Sequence, residues 1–183
     1  GSAIYTGKVE SKEPSLRIIS YDADTINIDE DVSIDELQDK LATHKDKISW
    51  VHIEPISDQE NIAKIGTNFG LHPLVIEDIL SVSHRPKTEE FDTYTFVVIK
   101  TSKYTENVLK FSQISFILTK EYLLSFADET DDSFMNIVNR LKKSGSRIRK
   151  SNSEYLLFAI LDNITDEYFK VLEDIGDEIE DLE

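Results

Sequence analysis

The sequence predicts a layered α/β/α sandwich with a mixed central sheet, followed by one long C-terminal helix. Three observations predict it. Segments of helical period stand on both sides of a β-rich middle, which layers helices against a sheet. Both alternating faces of Tyr94–Ile99 are largely apolar or aromatic, as in a strand covered on both sides. From Leu161 onward, Ile164, Tyr168, Val171, Ile175, Ile179 and Leu182 recur every three or four positions in one narrow seam. That seam suits packing on another helix better than on a broad sheet, so the helix is expected to outrun the domain core.

Leu16–Tyr21 and Thr25–Ile28 read as short strands around the turn Asp22-Ala23-Asp24. Ser33 and Glu36 have capping-box spacing, with Ile34, Leu37 and Leu41 on one helical face. Ile48–Ile53 reads as a third strand, ended by Pro55. Ser57 and Glu60 repeat the capping-box spacing before the stripe Ile62, Ile65 and Phe69, and Gly70 sits where a C′ glycine belongs. Pro73 is placed for the first turn of a short helix that runs to about Leu80. Thr88–Phe91, Tyr94–Thr101, Val108–Leu118 and Glu121–Phe126 have strand character. Ser133–Lys143 returns to helix, with Phe134, Ile137, Val138 and Leu141 inward. Ser151 and Glu154 form a third capping-box pair, opening the final helix at about Asn152. In that helix Gly176 is the one weak point, at about 1 kcal/mol relative to alanine. The predicted division is an N-terminal segment over 1–15 with Gly1-Ser2-Ala3 as a tag remnant, an α/β domain over 16–150, and the start of the long helix over 151–183.

Composition narrows the function. The chain has 183 residues, enough for one domain with its own core, and is 39% hydrophobic and 31% charged. Its longest apolar run is the seven residues Tyr155–Leu161, against about 20 for a membrane span. With 36 acids against 20 Lys and Arg, the net charge is −16. Such a surface repels nucleic acid and attracts cations. Cysteine is absent, which excludes disulfides and thiolate metal sites. The glycines are isolated, so no phosphate loop is present, and there is no nucleophile elbow or carboxylate pair beside a histidine base. No enzyme is predicted. The helical pattern continues to Glu183, which reads as a piece of a longer protein.

Two segments carry a specific likeness. Gly70–Lys100, GLHPLVIEDILSVSHRPKTEEFDTYTFVVIK, has a helix start, an acidic pair, an Arg-Pro-Lys turn and then a β-rich run. Tyr155–Glu183, YLLFAILDNITDEYFKVLEDIGDEIEDLE, reads as the start of a stalk helix. In that order they resemble the cytoplasmic domain of the CorA family of magnesium and cobalt channels, and the likeness extends more weakly from about Leu16. The resemblance implies a cation-sensing regulatory domain that gates a pore through divalent cations bound between subunits of a homopentamer. It implies Mg²⁺ as the regulatory ion, with Co²⁺ or other divalent cations as substitutes. It also implies an inner-membrane protein with this domain on the cytoplasmic side, joined to the membrane only through C-terminal helices that this chain lacks. The family's Gly-Met-Asn pore motif is likewise absent.

In the family pattern, the second acid of the Glu-Asp pair lies at the regulatory site between subunits, and it maps onto Asp78. Glu77 is its neighbour. Adjacent helical residues point about 100° apart, so the two form no clamp, but each can donate one carboxylate. Magnesium accepts this, since it binds one or two carboxylates and keeps most of its water. Without the resemblance both read as solvated helix acids. Asp162 and Asp166, four apart in a helix with ten acids from Asp162 to Glu183, are candidates for a second cation position. His84-Arg85-Pro86-Lys87 departs from the family's Gln-Arg-Pro-Lys at His84 and reads as a structural turn. His44, His52 and His72 are scattered and read as packed or surface residues. The six bases of Arg140–Lys150 read as a solvated helix end and loop. Two alternatives stand: a zinc-transporting relative of the same superfamily, and a soluble acidic adaptor with a coiled-coil helix. The unfinished helical seam predicts that this chain alone is monomeric or weakly associated in dilute solution. Light scattering at micromolar concentration checks this, and a stable pentamer would contradict it.

Overall fold

In the computed structural model, residues 3–8, 10–128 and 134–180 are described. Seven strands form one sheet: β1 (Ser15–Tyr21), β2 (Ile26–Val32), β3 (Ile48–Glu54), β4 (Lys87–Glu90), β5 (Thr95–Thr105), β6 (Val108–Leu118) and β7 (Tyr122–Ala127). Their spatial order is β2-β1-β3-β7-β6-β5-β4. Only β3 and β7 pair in parallel, in the register Val51 to Leu124. The remaining pairs are antiparallel, so the sheet is mixed, as expected.

Helices α1 (Leu37–Thr43), α2 (Gln59–Asn68) and α3 (Pro73–Leu80) share one core with one face of the sheet. Phe96, Val98, Ile117, Leu124 and Phe126 are its sheet side, against Ile62, Ile65, Ile76 and Ile79 from the helices. Helices α4 (Met135–Lys142) and α5 (Ser153–Glu180) cover the other face, around Trp50, Val97, Ile114, Phe116 and Leu123. The inward set Phe134, Ile137, Val138 and Leu141 is buried as the spacing predicts. Ser133 lies outside the described residues.

Two of the three capping-box readings shift. Ser33 and Glu36 do exchange both capping-box bonds, in the turn just before α1. At α2, however, Asp58 is the cap, accepting from the Asn61 N–H at 3.2 Å, while Ser57 Oγ accepts from the Lys12 N–H. At α5, Asn152 Oδ1 accepts from the Tyr155 N–H at 2.9 Å, while Ser151 donates to the Arg147 carbonyl. In both places an Asx side chain one residue on is an equally good cap. The α2 terminus is as expected: Gly70 has φ of 67°, and the N–H groups of Gly70 and Leu71 close onto the Thr67 and Gly66 carbonyls.

Strand lengths shift as well. β5 runs four residues past the predicted Thr101, because Glu106 and Asn107 both take positive φ and close a two-residue hairpin into β6. β2 runs on through Asp29, Glu30 and Asp31, with a register shift opposite Leu16 to Ile18. A charged, irregular edge strand discourages pairing with another chain.

The long hairpin changes what α5 does. The 28-residue helix is about 42 Å long at 1.5 Å per residue. The expected open seam faces the sheet instead: Ile164 and Val171 are buried, and Leu161, Tyr168 and Ile175 are half-buried. Tyr168 donates its hydroxyl to the Lys100 carbonyl at 2.7 Å, and Tyr104 of the hairpin meets Glu178. Ile179 is exposed, and Leu182 lies outside the described residues. Among the described residues, the most exposed apolar side chains of α5 are Phe158, Phe169 and Leu172, each more than 60% exposed.

One base in the Arg140–Lys150 stretch also departs from the solvated reading. Arg149 is 3% exposed. Its guanidinium donates to the carbonyls of Asp22 at 2.6 Å, Leu141 at 3.2 Å and Ala23 at 3.4 Å. It thereby ties the β1–β2 turn to α4. Removing one partner of a buried charged hydrogen bond leaves the others unsatisfied. Arg149→Ala is expected to lower stability by roughly 2–4 kcal/mol, whereas Lys150→Ala, on an exposed neighbour, stays within about 0.5 kcal/mol. Urea unfolding of both variants measures the contrast.

Candidate functional site

Helix α3 carries the acidic pair and is fixed from three sides. At its start, the His72 N–H donates to the Tyr94 hydroxyl at 3.0 Å, and His72 Nδ1 accepts from the Leu74 N–H. Tyr94 is itself stacked on Phe91 with centroids 4.7 Å apart. Along its length, α3 approaches α2 closely at Gly66. A Cβ there would stand 2.7 Å from Ile76 Cγ1 and 2.8 Å from Cδ1. At its end, the buried Gln113 of β6 donates to the Ser81 carbonyl at 3.0 Å and accepts from the His84 N–H at 3.2 Å. Lys100 donates to the Val82 carbonyl at 2.6 Å and to Gln113 Oε1 at 3.2 Å. Burial holds the Lys100 pKa below its ordinary value, with the charge of Asp128 opposing.

The half-exposed Glu77 and Asp78 differ in company. Asp78 Oδ1 lies 3.0 Å from His84 Nε2, and Asp78 Oδ2 lies 2.6 Å from Lys87 Nζ. Lys87 also pairs with Glu89 at 2.9 Å and stands 5.5 Å above the Phe96 ring. Desolvation pulls the Lys87 pKa down, but its hydrogen bonds to Asp78 and then Glu89 outweigh that and hold it above the ordinary value. The stretch 84–87, expected to be a structural turn, therefore also returns two basic side chains to Asp78. Glu77 has no ion pair or side-chain hydrogen bond among the described residues.

Asp162 and Asp166 stand one turn apart on the exposed side of α5. They are on the opposite face of the sheet from α3, so the two candidate pairs are not brought together. Among the described residues, no three His, Asp or Glu side chains converge in a way that could hold a metal ion. Asp78 is one partly exposed carboxylate on an anchored helix, with both oxygens facing basic side chains of the same chain. Of the other histidines, His52 is packed. Its ring links Ser125 Oγ at 2.7 Å to Glu54 at 2.9 Å, with Trp50 Nε1 donating to the same serine.

Sequence reading missed His84, Lys87, Glu89 and Gln113 as neighbours of Asp78. Six to thirty-five residues separate them from it: the turn after α3 returns His84, and the strand order brings Lys87, Glu89 and Gln113. The available signal was the Lys87/Glu89 alternation, which puts both side chains on one face of β4.

Comparison with known proteins bears on the same region. A family model described as CorA-like Mg²⁺ transporter protein matches residues 45–183. The cobalt/magnesium transport protein CorA of Thermotoga maritima is 34% identical over 194 aligned positions, covering 100% of this chain and 52% of that protein. The magnesium transporter ALR2 of Saccharomyces cerevisiae is 28% identical, covering 73% of this chain and 16% of that protein. Among solved structures, the soluble domain of CorA from Methanocaldococcus jannaschii matches with a TM-score of 0.69 at 17% identity, over 90% of this chain and 62% of that one. The ZntB cytoplasmic domain from Vibrio parahaemolyticus matches with a TM-score of 0.66 at 13% identity, over 94% of this chain and 66% of that one. These two show likeness of fold. The chain spans about half the length of the Thermotoga relative.

The contact between α2 and α3 sets where the acidic pair sits. Gly66→Ala is expected to cost about 1–2 kcal/mol by overpacking against Ile76. In an Ile76→Ala background the same change should turn neutral or stabilising, since alanine is favoured over glycine in a helix by about 1 kcal/mol. A double-mutant cycle by chemical unfolding reads that change of sign.

Proposed function

Because the chain belongs to the family of CorA-like Mg²⁺ transporter proteins, we propose that it is the cytoplasmic cation-sensing domain of such a transporter. In this reading the parent protein is a homopentamer in the inner membrane. Its pore lies in transmembrane segments outside this chain. Among the described residues, no helix is long and apolar enough to cross a membrane. Mg²⁺, or Co²⁺ in its place, binds between subunits and favours the closed state. When cytosolic Mg²⁺ falls, the bridging ion leaves, acidic surfaces repel, and the population shifts toward open.

The observation that carries the reading is Asp78: a partly exposed carboxylate, 21% accessible, on a helix anchored at both ends, in a chain that matches the family through that region. A cation that touches few protein oxygens and keeps its water suits one carboxylate from each side of an interface. Glu77, one position along the same helix, is an auxiliary ligand in this proposal, and Asp162 with Asp166 a second, weaker position on α5. The net charge of −16 concentrates cations at such a surface. Mg²⁺ is preferred over Zn²⁺ because zinc takes His and Cys, and here cysteine is absent. One of the four histidines, His52, is engaged within the core.

In the full-length transporter, Asp78→Asn is expected to raise the internal Mg²⁺ needed for half-inhibition by about fivefold or more, within the range of ordinary coupling energies. Patch recordings across an internal Mg²⁺ titration measure it. An unchanged Mg²⁺ dependence would leave Asp78 as an ion-pair partner of Lys87 and His84 within one chain and not a cation ligand.

A further inference from the structure

The contacts of Asp78 pose a question that the cation-sensing reading leaves open, because both of its oxygens already face basic side chains of the same chain. We propose that Lys87 is a tethered counter-cation, which a divalent cation must displace to reach Asp78, and that Glu89 retains the ammonium once it is displaced. The inference rests on the reading of Asp78 as a cation ligand and adds what regulates that ligand.

The geometry has three parts. Lys87 Nζ bridges Asp78 at 2.6 Å and Glu89 at 2.9 Å, so it has two anionic partners and needs only one of them to stay paired. Lys87 and Glu89 are two apart on β4, and pairing of β4 with β5 holds them at Val98 and Phe96. Side chains two apart in a strand share a face, so Glu89 remains beside Lys87 wherever the ammonium swings. The ammonium also stands 5.5 Å from the centroid of the Phe96 ring, a third favourable contact beside its two carboxylates. The ammonium therefore exchanges between bridging two carboxylates and holding one, without being left unpaired.

A lysine ammonium and a hydrated divalent cation compete for the same acceptor oxygens and repel each other. The competitor is covalently attached, so its effective concentration is fixed by the fold. Lys87 thus sets how much Mg²⁺ is needed before Asp78 takes an ion. Glu89 sets how easily Lys87 lets go.

The test is a titration of this chain with MgCl₂ at constant ionic strength, followed by NMR through the Asp78 carboxyl carbon and the Lys87 side-chain nitrogen. In the wild type both signals should shift with a common midpoint. Lys87→Gln should lower the Asp78 midpoint by about fivefold, the upper range for a partly exposed ion pair. Glu89→Gln should raise it. Lys64→Gln, which removes the same charge from the exposed Lys64–Asp35 pair, should leave it unchanged. If Lys87→Gln stays within about twofold of wild type, or Lys64→Gln lowers the midpoint equally, Lys87 is not a competitor, although Asp78 remains a ligand. If the Asp78 signal responds to Mg²⁺ in neither the wild type nor Lys87→Gln, Lys87 competes with no cation on this chain and the inference falls, while Asp78 as a ligand between subunits is judged by the recordings on the full-length transporter.

Discussion

The parallel pairing of β3 with β7 holds the domain together. On one side of it lies an antiparallel group, β2-β1-β3, built before residue 55. On the other lies the group β7-β6-β5-β4, built after residue 86. Each group alone is a short antiparallel sheet with two apolar faces and too few helices to cover them. The seam from Ser49/Tyr122 to Ile53/Phe126 joins them into one surface. Both helical layers then bridge it, with Val51 and Leu124 in one core and Trp50 and Leu123 in the other. A polar chain crosses the seam too. Ser125 Oγ of β7 accepts a hydrogen bond from the Trp50 indole N–H and meets the His52 ring, which in turn meets Glu54. Buried polar groups need such partners, so these side chains favour one register of the two strands over its neighbours.

The seam also decides how much could be read from the residues in order. Elements governed by near neighbours were legible. Pro73 after His72 opens α3, Gly70 closes α2, and the spacing of Phe134, Ile137, Val138 and Leu141 marks a buried helix face. Strand ends were less legible because their extent is set by a partner. Thr101–Thr105 continues β5 only because Val108–Ser112 lies opposite, and Asp29–Asp31 continues β2 only because β1 does. The two misplaced caps have a local cause: serine and Asx stand side by side at both 57–58 and 151–152, and propensity does not rank them. Arg149 was illegible for a third reason. Its partners are carbonyls, which leave no mark on a sequence.

The candidate site divides in the same way. Asp78 came from the ordered likeness of one segment, and the comparisons extend that likeness over most of the chain. Its surroundings did not, because they are assembled by topology. β4 lies beside β5, β5 beside β6, and Gln113 of β6 reaches back to the end of α3. A motif read along the chain showed Glu77 and Asp78 as equals. The fold separates them: one meets a lysine and a histidine, and the other has no such partner among the described residues. In a chain with nearly twice as many acids as bases, which carboxylate meets a cation matters more than how many there are.

The β5–β6 hairpin and α5 form, in mechanical terms, a braced beam. A free helix of this length bends most easily where its own structure is weakest, and here that is Gly176. The two polar struts to the hairpin, Tyr168 to the Lys100 carbonyl and Tyr104 to Glu178, stand on either side of that glycine. The soft point is therefore spanned by a strand pair whose own stiffness comes from continuous ladder bonds. A bend at Gly176 would therefore have to break one of these struts or carry the hairpin with it.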